Sequence, residues 1–179
     1  MIPIQWREAE EGHDAKLFAD FKCALTVPPS TKPPVYERQV QRFFREQVWE
    51  QLGSHAERDP RLRIAEDAEG IAAAYVHLRY DSDHPMYMSV PGYGSRLIGF
   101  MGIATRYRRQ GGGFADQVLT DALYEARDAD GAILGVVVWG KVHRRNKPCK
   151  SMLTRNDFRY RSLMEDDGPL EHWAVQIDR

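Results

Sequence analysis

The sequence contains 179 residues, of which 42% are apolar and 28% are charged, and its formal net charge is −1. This composition is ordinary for a soluble globular protein, and the length suits a single domain over residues 1–179. A near-neutral charge excludes a general electrostatic attraction to nucleic acid or to a membrane surface. No apolar run reaches the length of a membrane span, so we expect no association with a membrane.

Two features of the sequence bear on its location in the cell. Residues 1–12 show no basic region followed by a long apolar run, so no signal peptide is visible. The two cysteines, Cys23 and Cys149, lie far apart in the sequence and do not form a metal-type pair. We therefore expect reduced thiols, no metal site and a cytoplasmic protein.

The first half of the chain predicts a strand, two helices and a β-hairpin. Apolar residues alternate in the predicted strands and recur at helical spacing in the predicted helices. Two proline pairs in residues 27–34 predict an extended connection between the helices, and Gly53 is the expected C-cap of the second helix. These elements are a strand over residues 2–8, helices over 14–25 and 36–52, and hairpin strands over 61–66 and 71–80.

The most informative stretch spans residues 97–126. Its beginning, residues 97–104, is almost entirely apolar or small, which predicts a buried strand. Residues 114–126 carry apolar side chains at helical spacing and predict an amphipathic helix. The turn between them combines three arginines with three consecutive glycines: Arg106, Arg108, Arg109, Gly111, Gly112 and Gly113.

A glycine turn that leads into a helix is suited to binding an anion; the alternative is a solvated basic turn. The first N–H groups of a helix have no partner within it, the helix dipole adds positive charge there, and glycines let a diphosphate reach the backbone. A P-loop requires Lys and then Ser or Thr after the last glycine, whereas Phe114 and Ala115 follow Gly113. The third glycine of a dinucleotide-binding fingerprint would fall at Phe114 or Asp116, so that motif is absent as well.

The rest of the chain predicts one strand, one helix and a terminal pair of strands. A continuous apolar run, residues 133–139, predicts a buried strand. Pro148 suits the first turn of a short helix that ends at Arg155. Two alternating segments, residues 158–164 and 171–177, predict the terminal strands. The predicted order is therefore β-α-α-β-β-β-α-β-α-β-β.

Two motifs within this order resemble those of the GCN5-related N-acetyltransferases, the GNAT superfamily. Residues 108–113, RRQGGG, match the pattern R/Q-x-x-G-x-G/A of the loop that binds the pyrophosphate of acetyl-CoA in that family. A second family pattern, N-x-x-A-x-x-L-Y-x-x-x-G-F, is matched in register by Asn146, Cys149, Met152 and Phe158. Leu153 departs from this pattern where tyrosine is common, and Asp157 departs where glycine is common.

The resemblance implies an α/β (α+β) fold in three layers, with a mixed, twisted sheet of about seven strands and helices on both faces. It also implies that the fourth and fifth strands splay apart and that acetyl-CoA, as co-substrate, lies in the gap. For Asn146, capping of a helix is an equally good interpretation. The cofactor-binding residues implied by the resemblance are Met101, Gly102, Ile103, Arg108, Arg109, Gln110, Gly111, Gly112, Gly113, Phe114, Ala115, Asn146 and Cys149.

The catalytic residues are harder to assign, because Leu153 occupies the usual position of the acid tyrosine and cannot donate a proton. We interpret His143 as the candidate base, since it follows the fifth strand and histidine titrates near neutral pH; a solvated loop histidine is the alternative. Glu66, His77 and a water chain to backbone carbonyls are other candidates for this role. Tyr80 is the candidate acid, with Tyr87 as its alternative.

Three functions remain open from the sequence. The first is an N-acetyltransferase that moves an acetyl group from acetyl-CoA to a primary amine of a small molecule or protein by direct attack in a ternary complex. The second is a non-catalytic acyl-CoA-binding sensor or interaction module. The third is a toxin-like enzyme acting on aminoacyl-tRNA, which the net charge disfavours and a local basic cluster favours: Arg144, Arg145, Lys147, Lys150 and Arg155. The acceptor amine is not identified, and a homodimer is left open.

Overall fold

The structure is a computed structural model that describes residues 4–26, 28–80, 90–108, 113–163 and 168–179. The strands are β1 Trp6–Glu8, β2 Arg61–Asp67, β3 Gly70–Arg79, β4 Tyr93–Ile103, β5 Gly135–His143, β6 Arg159–Leu163 and β7 Leu170–Asp178. The α-helices are α1 Glu11–Asp20, α2 Val35–Arg42, α3 Val48–Ser54, α4 Phe114–Asp130 and α5 Lys147–Arg155. Among these helices, none is both long and apolar enough to cross a bilayer.

The strands form a mixed seven-stranded sheet in the order β1-β2-β3-β4-β5-β7-β6. β4 and β5 are parallel, and their paired residues run from Tyr93 with Gly135 to Ile98 with Gly140. β1 and β2 are antiparallel, as are β5 with β7 and β6 with β7. This arrangement confirms the mixed sheet of about seven strands predicted from the sequence.

Contacts within the chain define two compact units. The first unit contains Met1–Val76 and Phe100–Phe114, and the second contains His77–Gly99 and Ala115–Arg179. Both units draw on β3 and β4, which pass from one into the other. A single domain over residues 1–179 stays a prediction.

An aromatic cluster forms the core of the first unit. Phe18 of α1 stacks on Phe44, which lies between α2 and α3, with ring centroids 5.8 Å apart. Phe43 stacks on Phe100 of β4 with ring centroids 3.8 Å apart. Val76 of β3 is buried in the same cluster, so helices of this unit cover the face of β3 to which Val76 belongs.

In the second unit, the amphipathic helix α4 buries the apolar stripe that the sequence predicted. His77 follows Val76 in β3 and therefore points to the opposite face, where its ring contacts Glu125 of α4. Helices thus lie on both faces of the strand, as expected. The buried residues of the α4 stripe are Val118, Leu119, Ala122 and Ala126.

The N-terminal helices differ from the sequence prediction. α1 ends at Asp20 rather than at Leu25, because the backbone of Phe21 is extended, with φ −65° and ψ 122°. A π-helical turn, Phe43–Gln47, separates α2 from α3 within the predicted helix over residues 36–52. Such a turn inserts a residue into the helical repeat, and here the neighbouring Phe43 and Phe44 are both buried.

The predicted C-cap at Gly53 is wrong, because this residue lies inside α3. A short 3₁₀ turn, Ala56–Arg58, follows α3. The left-handed backbone that favours glycine at a helix C-terminus occurs instead at Asp59, with φ 48°. The sequence thus placed the end of the helical region several residues too early.

The start of β5 also differs from the prediction. The strand begins at Gly135, and the side chains of Ile133 and Leu134 are 81% and 49% exposed. Gly135 has φ +146°, and a Cβ there would lie 2.1 Å from the carbonyl oxygen of Ile177. Only glycine permits this close approach to β7. The fifth strand therefore begins at Gly135, two residues later than the predicted start at residue 133.

Candidate functional site

The chain between β4 and α4 is fixed to the β2–β3 turn before it enters the glycines. Arg106 donates from Nε to Asp67 at 3.0 Å and from Nη2 to both carboxylate oxygens at 2.7 and 2.8 Å. The hydroxyl of Tyr107 donates to the same carboxylate at 2.7 Å. Burial acts to raise the pKa of Asp67, but the hydrogen bonds from Arg106 and Tyr107 lower it overall.

A stacked ring pair brings together the two sides of the glycine stretch. The ring of Tyr107 lies against that of Phe114, the first residue of α4, with centroids 4.5 Å apart and an interplanar angle of 21°. Gly113 has φ +69°, a left-handed backbone that favours glycine, and a Cβ there would lie more than 4 Å from the neighbouring atoms of the part of the chain that the structure describes. Four predicted loop residues lie outside the described residues: Arg109, Gln110, Gly111 and Gly112.

Arg108, predicted to contact the cofactor, is held by groups of the first unit. Its Nη2 donates to Glu37 of α2 at 2.6 Å, and its Nη1 donates to the carbonyl oxygen of Cys23 at 2.8 Å. The positive charges of Arg106 and Arg108 are therefore both balanced by carboxylates. A role of Arg108 in binding phosphate stays a prediction, with the added condition that Glu37 shares the guanidinium.

The end of β4 alternates between two faces at the predicted pantetheine-binding residues. Gly102 is buried, and a Cβ there would lie 2.9 Å from the ring of Phe21 and 3.0 Å from that of Phe44. Met101 and Ile103 are half-buried, and their side chains point to the opposite face from Gly102. Glycine at position 102 therefore serves the aromatic cluster, whereas its backbone groups are the part that a ligand would use.

The beginning of α5 confirms the capping interpretation of Asn146. The side-chain oxygen of Asn146 accepts a hydrogen bond from the backbone N–H of Cys149 at 3.2 Å, and Pro148 lies in the first turn as predicted. The cap uses only the carbonyl oxygen, so the N–H groups of the Asn146 amide are not needed for it. Cys149 is half-buried and is not part of a disulfide among the described residues.

The first turn of α4 carries an acidic residue whose charge is balanced within the second unit. Asp116 follows Ala115, a half-buried residue predicted to contact the cofactor. Its carboxylate accepts from Arg155 at 2.8 Å and from the amide of Asn156 at 2.8 Å. The hydrogen bond from Arg155 lowers the pKa of Asp116. This contact joins the start of α4 to the end of α5.

His143, the candidate base, is the last residue of β5 and is half-buried. Its Nδ1 accepts a hydrogen bond from the backbone N–H of Arg145 at 3.2 Å. Burial lowers the pKa of His143, and the positive charges of Arg145 and Arg144 lower it further, so the neutral ring predominates at neutral pH. With Nδ1 as acceptor, the neutral ring carries its proton on Nε2.

The alternative bases are both occupied by other contacts. Nε of Arg96 donates to Nδ1 of His77 at 2.8 Å, and Nε2 of His77 contacts the carboxylate of Glu125. Arginine is always protonated, so Nδ1 must be the acceptor and Nε2 the donor; neither nitrogen of this buried ring is suited to take a proton from a substrate. Glu66 is exposed and accepts from Nε of Arg7 at 2.7 Å.

Tyr80, the candidate acid, follows β3 and is almost fully buried, at 9% exposed. Its ring lies 6.4 Å from that of Trp139, and the ammonium of Lys141 lies 5.9 Å from its centroid. The role stays a prediction, as does that of Tyr87, which lies outside the described residues.

The two departures from the second motif have different structural outcomes. Leu153 is 5% exposed and belongs to the core. Asp157 has φ +62° and takes the left-handed position after α5, where glycine is usual. The N–H of Phe158 donates to the carbonyl of Leu153 at 3.0 Å and that of Asp157 to Thr154 at 3.3 Å, which together form a Schellman motif.

Several side chains that organise this region were not found by sequence reasoning. Asp67, Glu37 and Tyr107 each contact a residue next to the glycine stretch, yet the first two lie far from it in sequence. No local pattern marks a carboxylate as the partner of a distant arginine. The arginines themselves were visible, but their number near the glycines suggested a ligand rather than internal partners.

Solved structures with the same fold support this architecture. A PaiA N-acetyltransferase from Thermoplasma acidophilum, in complex with coenzyme A, is 12% identical, with a TM-score of 0.64 and coverage of 98% of this chain and 100% of that chain. A candidate phosphinothricin N-acetyltransferase is 18% identical, with a TM-score of 0.63 and coverage of 99% and 100%. A mutant of the toxin AtaT, bound to the C-terminus of the antitoxin AtaR and acetyl-CoA, is 13% identical, with a TM-score of 0.63 and coverage of 97% and 93%.

The chain therefore has the GNAT fold, as the resemblance in its motifs implied. No protein-family model and no curated protein matches the sequence. Structural similarity at this low sequence identity establishes the fold but not the reaction.

We expect Asp157→Gly to raise the free energy of unfolding by roughly 0.5–1 kcal/mol, because a left-handed backbone is strained for any residue with a side chain. Urea denaturation would show this as a higher midpoint with an unchanged slope. Asp157→Ala keeps a Cβ and should bring no gain. A midpoint of Asp157→Gly at or below that of the wild type would contradict the strain assigned to this position.

Proposed function

We propose that this protein is an N-acetyltransferase that transfers the acetyl group of acetyl-CoA to a primary amine of a small molecule or a protein. Attack would be direct, with both substrates bound together. The observation that carries the proposal is Gly113, whose left-handed backbone and open surroundings precede the N-terminus of the 17-residue helix α4. Solved structures with this fold hold coenzyme A or acetyl-CoA, which supports the same co-substrate here.

The proposed diphosphate contacts come mainly from the backbone. The first N–H groups of α4, at Gly113, Phe114 and Ala115, have no carbonyl partner within the helix and are suited to bind anionic oxygens. Arg106 and Arg108 are already paired with carboxylates, so unlike free cations they add little net positive charge. The remaining predicted contacts in this stretch are Arg109, Gln110, Gly111 and Gly112.

The arm of coenzyme A would be held by backbone groups of β4 and by the start of α5. The backbone groups of Met101, Gly102 and Ile103 lie beyond Ile98, the last β4 residue paired with β5. They are suited to pair with pantetheine amides in place of water. The N–H groups of the Asn146 amide are proposed to contact the arm while its oxygen caps α5. Cys149 is proposed to lie near the thioester as a small residue.

Acetyl transfer from a thioester to an amine makes two demands on the protein. The amine must be neutral when it attacks, and negative charge that develops on the thioester oxygen and sulfur must be stabilised by donors. We propose that His143 meets the second demand through Nε2–H, since its Nδ1 accepts from Arg145. A neutral imidazole can serve as such a donor, and water would then remove the proton from the amine. A base role for His143 would require loss of the bond from Arg145.

A second candidate is a toxin-like enzyme acting on aminoacyl-tRNA, because a structure with this fold is a toxin bound to acetyl-CoA. Of the basic cluster, Arg144, Arg145 and Lys147 are exposed. Lys150 pairs with Glu171 and Arg155 pairs with Asp116, which reduces the charge available for phosphates. A tRNA gel shift with a steep salt dependence would favour this candidate.

The proposed activity is tested by measuring release of free coenzyme A thiol from acetyl-CoA across a panel of primary amines. Release that depends on an amine supports the transferase. Tight binding of acetyl-CoA without release under any amine would instead favour a non-catalytic acyl-CoA sensor. Absence of binding would remove the proposal altogether.

We expect Gly113→Asp to abolish binding of acetyl-CoA, because a carboxylate would meet the diphosphate at the helix N-terminus. Gly131→Asp is a matched control: Gly131 follows the other end of α4, has φ +65° and likewise has nothing within 4 Å of its Cβ position. Both variants carry the same backbone strain, but only the first places charge at the proposed site. Calorimetry that finds unchanged affinity in a folded Gly113→Asp protein would refute the placement.

We expect His143→Ala to lower turnover by about 100-fold, the typical loss when a donor to a developing oxyanion is removed. His143→Gln places an amide N–H near the position of Nε2 and should retain most of the rate. If both variants lose activity equally and the acidic limb of the pH profile disappears, His143 acts as a base with a pKa below its usual range. Unchanged turnover in His143→Ala would remove it from the mechanism.

A further inference from the structure

Between α1 and α2, the backbone N–H groups of residues 23–25 are bonded to side chains of α2. The side-chain oxygen of Gln41 accepts from the N–H groups of Cys23 and Ala24 at 3.2 Å each. One carboxylate oxygen of Glu37 accepts from the N–H of Leu25 at 2.5 Å. Backbone groups of a partly buried segment without regular secondary structure need such partners, so the conformation of residues 23–25 depends on these two residues of α2.

The same segment is bonded to the chain that leads into the glycines. The N–H of Thr105 donates to the carbonyl oxygen of Lys22 at 2.9 Å. Arg108 donates to the carbonyl of Cys23 at 2.8 Å and to the second carboxylate oxygen of Glu37 at 2.6 Å. Glu37 thus bridges Leu25 and Arg108, one oxygen for each, and residues 22–25 cannot move independently of residues 105–108.

The bridge is largely withdrawn from solvent. The side chain of Glu37 is 12% exposed and that of Arg108 is 27% exposed. Charge-assisted hydrogen bonds in such surroundings are short and directional, and removing one partner leaves the other charge without compensation. Arg108 still has N–H groups beyond those given to Glu37 and Cys23, because a guanidinium carries five. It can therefore approach a phosphate oxygen while the bridge stays intact.

We propose that Glu37 is a positioning residue for acetyl-CoA: through Arg108 it couples binding of the diphosphate beside Gly113 and the start of α4 to the order of residues 22–25. This inference rests on the proposed function. Ligand binding that restrains Arg108 also restrains Glu37 and, through it, the N–H of Leu25. Coupling between ligand binding and order is reciprocal. If acetyl-CoA favours the ordered state of residues 22–25 by a given factor, loss of the bridge must weaken acetyl-CoA binding by the same factor.

The test uses the full chain and acetyl-CoA itself, with calorimetry for affinity and hydrogen exchange for the amides of Cys23, Ala24 and Leu25. In the wild type, saturating acetyl-CoA should slow exchange of these amides. Glu37→Gln keeps an oxygen for Leu25 but turns an amide toward Arg108, so the ligand-dependent slowing should disappear. By reciprocity the affinity should fall by about 5-fold or more, the lower range of typical coupling between sites.

Glu46→Gln is the matched control, because Glu46 is an exposed glutamate that pairs with Arg42 at 3.3 Å and does not belong to the bridge. It should leave both measurements unchanged. Equal effects of the two variants, or an affinity of folded Glu37→Gln equal to or above that of the wild type, would overturn the inference.

The wild-type measurement decides the case even where Glu37→Gln fails to fold. Acetyl-CoA that binds without slowing exchange in residues 23–25 would overturn the role of Glu37 and leave the proposed function intact. Failure of the wild type to bind acetyl-CoA would overturn both.

Discussion

Two arginine–carboxylate pairs determine where the chain enters the glycine stretch. Arg106 bonds to Asp67 at the turn between β2 and β3, and Arg108 bonds to Glu37 at the start of α2. Each contact joins the same short connection to a different part of the first unit. Arg106 contacts both oxygens of Asp67 through two nitrogens, and Arg108 adds a bond to the carbonyl of Cys23, so each guanidinium is fixed in distance and orientation.

These pairs also decide which groups are left to bind an anion. An arginine balanced by a carboxylate contributes far less potential at a distance than an unpaired one, whereas the first backbone N–H groups of a helix have no carbonyl partner within it and carry the positive end of the helix dipole. The affinity for a diphosphate would therefore depend on Gly113 and the first turn of α4 more than on the arginines. The negative charge of Asp116, in the first turn of α4, does not oppose anion binding there, because Arg155 of α5 compensates it.

Local signals predicted much of the fold, and non-local contacts account for what was missed. The structure confirms three local predictions: the amphipathic pattern of α4, the proline in the first turn of α5 and the cap at Asn146. Each of these depends on residues that are close together in the sequence. The end of α1 could not be read in the same way, since residues 22–25 are held by Gln41 and Glu37 of another helix. The apolar residues Ile133 and Leu134 predicted a strand, but β5 begins at Gly135, whose backbone conformation and close approach to β7 only glycine can adopt.

The departures from the family pattern concern geometry in one case and chemistry in the other. Asp157 adopts the backbone conformation that glycine usually provides, so the motif is kept at some cost in strain. Leu153 cannot replace a tyrosine hydroxyl, and its burial in the core with Phe158 shows that the position serves packing in this chain. For the proposed acetyl transfer, a donor for the leaving sulfur or the thioester oxygen would have to come from another element. Of the candidates that the structure describes, His77 is sequestered by Arg96 and Glu125, whereas the bond that His143 accepts from the backbone of Arg145 sets the tautomer with a proton on Nε2. With Leu153 in place of a tyrosine on α5, His143 at the end of β5 is the candidate donor.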